Sequence, residues 1–256
     1  MLPCTTPEEL RSTCLALASD GARGVLLSGG YNSEGYVPFE PFLDAIAWVK
    51  RETKLFVSIH PGLMPTWLTH ELGKVGVDMA NFDLIGDDET IRLVLGIDRK
   101  VKDYRRTLKA LINEIPYVAP HICVGLHAGK LKGERKALEM ISDLDIATLV
   151  FLILVPTRGT KFEDVSSPSP EALAELIGEA RSKFPHIPLA LGCMRPRNDQ
   201  RVELELAALQ SGIDRIEMPS KRTIETAREQ GRLVRRLEAC CAIPTELLEV
   251  ASWSST

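Results

Sequence analysis

Seven runs, most of them short and continuously apolar, punctuate this chain of 256 residues, with helical segments between them. The runs are Val25–Ser28, Leu55–Ile59, Val77–Ile85, Val118–Val124, Ala147–Val155, Leu189–Gly192 and Ile213–Met218. A strand with one wet face alternates apolar and polar residues. A strand covered on both faces does not, and strands of that kind belong to parallel sheets. Parallel neighbours need a crossover rather than a hairpin, usually a helix.

The intervening segments supply those crossovers. The first helix, running to Ser19 or Asp20, opens with Thr6-Pro7-Glu8-Glu9. Thr6 caps it, Pro7 suits the first helical position and Glu9 completes a capping box. Further helices are expected at Pro41–Glu52, Pro65–Val75, Glu89–Leu95, Lys102–Glu114, Gly133–Leu144, Pro170–Phe184 (capped by Ser169), Gln200–Ser211 and Ser220–Ala239. Right-handed crossovers of this type build a barrel or a doubly wound sheet. A (β/α)₈ barrel takes about 250 residues and starts with a strand. Here a helix comes first and seven strands follow. The expectation is an α/β chain of the TIM-type (β/α) barrel class, missing the first strand and the loop after it. No composition break divides it, so residues 1–256 read as a single, N-terminally incomplete domain.

A net charge of −4 argues against nucleic acid as the main partner. Arg232, Arg235 and Arg236 read as the solvated face of the last helix, beside Glu229 and Glu238. The longest apolar run, from Ile146 to Val155, falls short of the roughly 20 residues a membrane helix needs. Met1-Leu2-Pro3-Cys4 lacks the basic start and apolar core of a signal peptide. Six cysteines in a chain of this length do not form a disulfide scaffold. The expected location is the cytoplasm, away from membranes.

Parallel α/β folds bind ligands at the carboxyl ends of their strands. Those ends carry Ser28-Gly29-Gly30, His60-Pro61-Gly62, Asn81-Phe82-Asp83, Gly125-Leu126-His127, Pro156-Thr157-Arg158-Gly159-Thr160, Cys193-Met194-Arg195-Pro196 and Glu217-Met218-Pro219-Ser220. Gly29 and Gly30 let backbone approach a ligand closely, or simply turn the chain. Asn81 and Asp83 share one face of their strand, while Ala80, Phe82 and Leu84 take the other. Such a pair needs partners: ribose hydroxyls, an ammonium, or an internal polar network. His60, His121 and His127 match no zinc spacing. His60, at a strand end, is the histidine placed to touch a ligand; His121, in mid-strand, reads as structural. Arg158 and Arg195 are candidates to clamp a substrate carboxylate, or else to brace loops. Cys193 is a weak candidate iron ligand, and Cys123 reads as a buried core residue.

Taken in order, these strand ends resemble the radical S-adenosylmethionine superfamily over about residues 5 to 240. The closest similarity is to the biotin synthase-like branch that includes archaeal-type two-component lipoyl synthases. The resemblance implies that Ser28, Gly29 and Gly30 receive the amino group of the cofactor's methionyl part. It implies that Asn81 and Asp83 meet the ribose, and that Gly125 to Glu134, including His127, run near the adenine. His60 joins them as a cofactor contact. Pro156-Thr157-Arg158-Gly159-Thr160 and Gly192-Cys193-Met194-Arg195-Pro196 become substrate-side loops. The implied cofactors are S-adenosylmethionine and a [4Fe–4S] cluster held by three thiolates of a CxxxCxxC loop. Reduction of the sulfonium then releases a 5′-deoxyadenosyl radical. Cys4 and Cys14 do not reproduce that motif, so its ligands are absent from this sequence.

Three functions follow from these readings. The first is sulfur insertion at an unactivated carbon, as in lipoyl or biotin formation. It acts on a small-molecule or octanoyl-protein substrate, alongside a second radical S-adenosylmethionine subunit. The second is a cluster-less protein or partner subunit that binds S-adenosylmethionine or a nucleoside. The third is an ordinary barrel enzyme working by acid–base chemistry through His60, Asp83 and Glu217.

Overall fold

The computed structural model describes residues 2–237 and 239–248. They divide into two compact units, one formed by residues 2–82 and 102–119, the other by 83–101 and 120–248. The strand order is the chain order, β1 to β7. The fold is α/β, of the (β/α) barrel class.

In the first unit α1 (Pro7–Ser19) starts as its sequence requires. Thr6 Oγ1 accepts from the Glu9 N–H at 3.2 Å, and Glu9 Oε2 accepts from the Thr6 N–H at 3.2 Å. Such a cap contributes about 1 kcal/mol. The chain continues through β1 (Gly24–Leu27), α2 (Leu43–Glu52), β2 (Phe56–Ile59), α3 (Thr66–Lys74) and β3 (Met79–Asp83), whose last residue counts with the second unit. The segment expected to be helical from Pro41 begins as a 3₁₀ turn, Glu40–Phe42, and becomes α-helical at Leu43. α5 (Val101–Glu114) completes this unit, and Gly73 of α3 packs on its end: a Cβ there would lie 2.5 Å from the Glu114 carbonyl oxygen.

β1 pairs with β2 and β2 with β3, both parallel. The expectation that every run is covered on both faces fails at β1, where Leu26 is 49% exposed. It stands at the end of the strand order with a ladder partner on one side only, so its apolar composition buries less than the central strands do.

The second unit holds α4 (Asp88–Leu95), most of β4 (Tyr117–Val124), α6 (Glu134–Met140), β5 (Leu149–Ile153), α7 (Pro170–Lys183), β6 (Leu189–Leu191), α8 (Arg201–Gln210), β7 (Arg215–Ile216) and α9 (Lys221–Glu229). β4 to β7 pair in sequence, all parallel. The longest apolar run, Ile146 to Val155, contains β5, whose five residues are all buried. No helix among the described residues is long and apolar enough to cross a membrane. Ser169 caps α7 by accepting from the Ala172 N–H at 3.3 Å.

The last helix is much shorter than expected. It stops at Glu229 because Gly231 turns the chain at φ +73°, with Gly231 N–H bonding to Arg228 O and Arg232 N–H to Ala227 O. Arg232, Arg235 and Arg236 therefore lie on non-helical chain, while Glu238 is outside the described residues. β7 is likewise shorter, because Met218 leaves the strand at φ +40°.

At the amino ends of the strands one device appears in each unit. Asp78, just before β3, accepts from the Val57 N–H at 2.7 Å and from Lys50 Nζ at 2.5 Å. Asp214, just before β7, accepts from the Leu189 N–H at 2.8 Å and from Arg181 Nη2. Each carboxylate ties a strand start to its neighbour and to a helix cation.

Candidate functional site

Register decides which strand-end residues share a face. Leu27 pairs with Ile59 and Ile59 with Ala80. One step further along each strand, Ser28, His60 and Asn81 fall on one row of the first unit. Paired residues of a parallel ladder point to the same side, so this row shares its face with Leu26, Ser58 and Met79. The opposite face is closed: Val57 is 1% exposed, Ile59 and Ala80 0%. On the face of the polar row exposure falls along the ladder, from Leu26 at 49% to Ser58 at 8% and Met79 at 2%, so the row runs from an open edge into the interior of the unit.

Asn81 is the informative member. It is 2% exposed, and its Oδ1 has no hydrogen-bond partner among the described residues. An unsatisfied buried acceptor costs about 1–3 kcal/mol. Ser58, two residues before His60, settles its own hydroxyl by donating to the Val25 carbonyl at 3.1 Å. At the end of β1, a Cβ on Gly30 would meet nothing within 4 Å, and one on Gly29 would meet only Val37 Cγ1 at 3.2 Å. The protein itself does not require glycine at position 30.

In the second unit the same alternation holds. His121, Cys123, Leu152, Arg215 and Glu217 lie on one face of β4 to β7, while Ile122, Phe151 and Leu191 are sealed on the other. Burial, helped by the charges of Asp83 and Glu134, pushes the Cys123 thiol up to about 12. The charge of Asp83 therefore reaches Cys123.

Glu134, the last residue of the run that the resemblance sets near the adenine, is a candidate that the pattern does not single out. As the first residue of α6 it looks like an ordinary first-turn acid. Its side chain instead turns back, and Oε1 accepts from the Gly125 N–H at 2.8 Å. The residue is 5% exposed and Oε2 has no partner among the described residues. Burial raises its pKa, against the pull of the Gly125 N–H. The only sequence signal is its place after the glycines of Gly125–Gly133. Gly125 has an internal reason to be glycine: φ is +77° and a Cβ would lie 2.1 Å from Pro168 Cγ.

His127 is tied to α4. Its Nδ1 lies 3.0 Å from Thr90 Oγ1, which in turn donates to Asp87 Oδ2 at 2.8 Å. Burial works against ionisation of Asp87, but the Thr90 bonds and Lys132 outweigh it and hold its pKa below the usual range. Ala128, next to His127, has φ +50°, an uncommon conformation for a residue with a Cβ.

The clamp expected of Arg195 is made inside the protein. Its side chain is 0% exposed; Nη2 reaches Glu205 Oε1 at 2.8 Å and Nη1 the Gly192 carbonyl at 2.6 Å. Nη2 also donates to the Glu217 carbonyl at 2.5 Å. A ligand carboxylate has no access to it, so Arg195 is corrected from substrate contact to internal brace. Glu217, the acid–base candidate, accepts from Arg197 Nη2 at 3.0 Å. Arg158 is exposed on the loop after β5, and Cys193 is exposed after β6.

In each unit, taken by itself, polar groups lie at the carboxyl ends of parallel strands. The fold is shared with solved structures. HydG, a maturase of the [FeFe]-hydrogenase, matches with a TM-score of 0.62 and 16% identity, covering 90% of this chain and 57% of HydG. Methylornithine synthase (PylB) matches at 0.63 and 17%, covering 90% of this chain and 73% of PylB. An HMG-CoA lyase from Bacillus subtilis matches at 0.57 and 10%, covering 88% of this chain and 80% of the lyase. HydG and PylB are radical S-adenosylmethionine enzymes, and the third is a lyase, so the common fold hosts more than one chemistry. The chain spans less than two thirds of HydG's length. No family model and no curated protein matches the sequence.

Proposed function

We propose that this chain binds S-adenosylmethionine, or a nucleoside close to it, as the adenosyl-binding part of a radical S-adenosylmethionine-type protein. The observation that carries this reading is the unpartnered Asn81 Oδ1 in a row with His60 and Ser28. A ribose hydroxyl is a donor of the right kind for that acceptor. Past β1, Gly29 and Gly30 leave backbone open to an amino group.

A [4Fe–4S] cluster meets a different answer. It takes three thiolates, and among the described residues no three His, Cys, Asp or Glu side chains gather as a metal site. Cys14 is buried in α1, its thiol raised by burial and by nearby Cys4, and Cys193 is in the other unit. The residues present do not fit the cluster. This chain's own residues are therefore assigned binding and orientation.

Sulfur insertion at an unactivated carbon is the finer reading, on an octanoyl-protein or small-molecule substrate with Arg158 as its exposed contact. It requires that cluster ligands come from outside these residues, such as a second radical S-adenosylmethionine subunit. The alternative is a cluster-less binding subunit, favoured by the missing thiol group. Calorimetry with S-adenosylmethionine tests the shared claim: saturable binding is expected, weakened at least tenfold in Asn81→Leu. Equal affinity in that variant sinks the reading. Anaerobic iron–sulfide reconstitution then separates the two: four irons per chain, alone or with a partner, supports the enzyme, and none supports the binder.

A further inference from the structure

Behind β7 the chain returns to the sheet at Cys240-Cys241, and Arg215 holds it there. Arg215 Nη1 donates to the Cys241 carbonyl at 3.2 Å and the Ile243 carbonyl at 2.5 Å, and Nη2 donates to Thr245 Oγ1 at 3.1 Å. Within the turn the Ile243 N–H bonds to the Cys240 carbonyl at 3.0 Å. The two thiols are thereby set differently. Cys240 is exposed and Cys241 buried, 9% exposed.

We propose that Cys240 and Cys241 form a reactive dithiol that exchanges with small disulfides and closes reversibly to a vicinal disulfide. Cys240, as thiolate, attacks one sulfur of a disulfide RSSR. The S–S bond breaks and RS⁻ leaves, taking up a proton. The Cys241 thiol then loses its proton and attacks the Cys240 sulfur of the mixed disulfide, expelling the second RS⁻. Two protein thiols are oxidised by two electrons and RSSR is reduced to two RSH. The reactant is a small dithio compound of the glutathione disulfide class.

Three features support the assignment. The attacking sulfur is the exposed one and the resolving sulfur lies next to it, so the mixed disulfide has a partner within one residue. The adjacent Cys241 thiol lowers the pKa of Cys240, which favours the thiolate at the exposed sulfur. Adjacent Cα atoms lie about 3.8 Å apart across a trans peptide, below the usual span of a disulfide. The ring is strained, and strained disulfides are the readily reduced, labile ones. The inference does not depend on adenosyl binding.

The test treats the reduced full chain with oxidised glutathione and reads intact mass and the tryptic peptide that starts at Leu237. Wild type is expected to lose the mass of two hydrogens within that peptide and to keep no glutathionyl group. Cys241→Ser is expected to trap one glutathionyl group on Cys240, and Cys240→Ser to show neither change in that peptide. Cys193→Ser is expected to behave as wild type. Dithiothreitol reverses the wild-type change. A stable glutathionyl adduct on wild type, or a cross-link that maps to Cys193, overturns the proposal. Peptide mapping of wild type stands even if Cys241→Ser fails to fold.

Discussion

The Arg195–Glu205 pair yields a sharp prediction, because its energetics can be worked from the structure. Glu205 is 0% exposed and accepts five hydrogen bonds from protein donors: Arg195 Nη2 at 2.8 Å and Nε at 3.3 Å, Arg201 Nε at 3.0 Å, the Ser220 N–H at 2.7 Å and Thr223 Oγ1 at 2.8 Å. Burial alone raises its pKa. The Ser220, Arg195, Thr223 and Arg201 bonds outweigh burial and lower it to about 2, against 4.5 for an ordinary glutamate. A depressed carboxylate stabilises the fold above its unfolded pKa and loses that contribution as pH falls toward the folded value. That depression corresponds to about 3 kcal/mol at pH 7, roughly half of it at pH 3 and little at pH 2.

Glu205→Gln keeps the shape and removes the charge. It is expected to lower stability by about 3 kcal/mol at pH 7, or roughly 6–12 °C in Tm for a chain of this size. The deficit is expected to shrink to about half by pH 3 and to vanish near pH 2. Urea denaturation of wild type and variant, followed by circular dichroism across this pH range, measures both. A pH 7 deficit below about 1 kcal/mol, or one that stays constant down to pH 2, would falsify the account of Glu205 as a charged brace.

Other expectations are more local. Gly125→Ala places a Cβ against Pro168 and forces a residue with a side chain to φ +77°. Overpacking of this kind costs about 1–3 kcal/mol, read by urea titration; an unchanged midpoint refutes the close approach. Cys123, raised to about 12, is expected to resist iodoacetamide at pH 8 in the folded chain and to react once urea unfolds it. Modification at equal rates in both states contradicts its setting beside Asp83 and Glu134. Asp78→Asn is expected to lower thermal stability with S-adenosylmethionine affinity unchanged, because Asp78 ties amino ends of strands. A tenfold loss of affinity places it in the site instead.

The elements of this chain were readable because each rests on local chemistry. The Thr6–Glu9 capping box and the Ser169-Pro170 start stand where the residues put them. Apolar runs bounded by helices became parallel strands in chain order. The misjudged elements share a cause. The segment after Ser220 has helical composition throughout, yet Gly231 ends the helix, and one residue's freedom to take positive φ outweighed the pattern. β1 has the composition of a covered strand, but its place at the end of the strand order leaves Leu26 half exposed.

The sequence alone determined the α/β class, most of the helix starts, and the concentration of polar residues at strand ends. Those follow from periodicity and capping, which act over a few residues. Tertiary structure decided what the polar residues do. Register set Ser28, His60 and Asn81 in one row and left Asn81 Oδ1 without a partner among the described residues. Folding brought Glu134 back to Gly125, enclosed Arg195 around Glu205, and pinned Cys240-Cys241 against Arg215. An arginine at a strand end reads the same whether it meets a ligand or a buried glutamate. Only the distance to that glutamate, set by the packing of α8 against the sheet, separates the two.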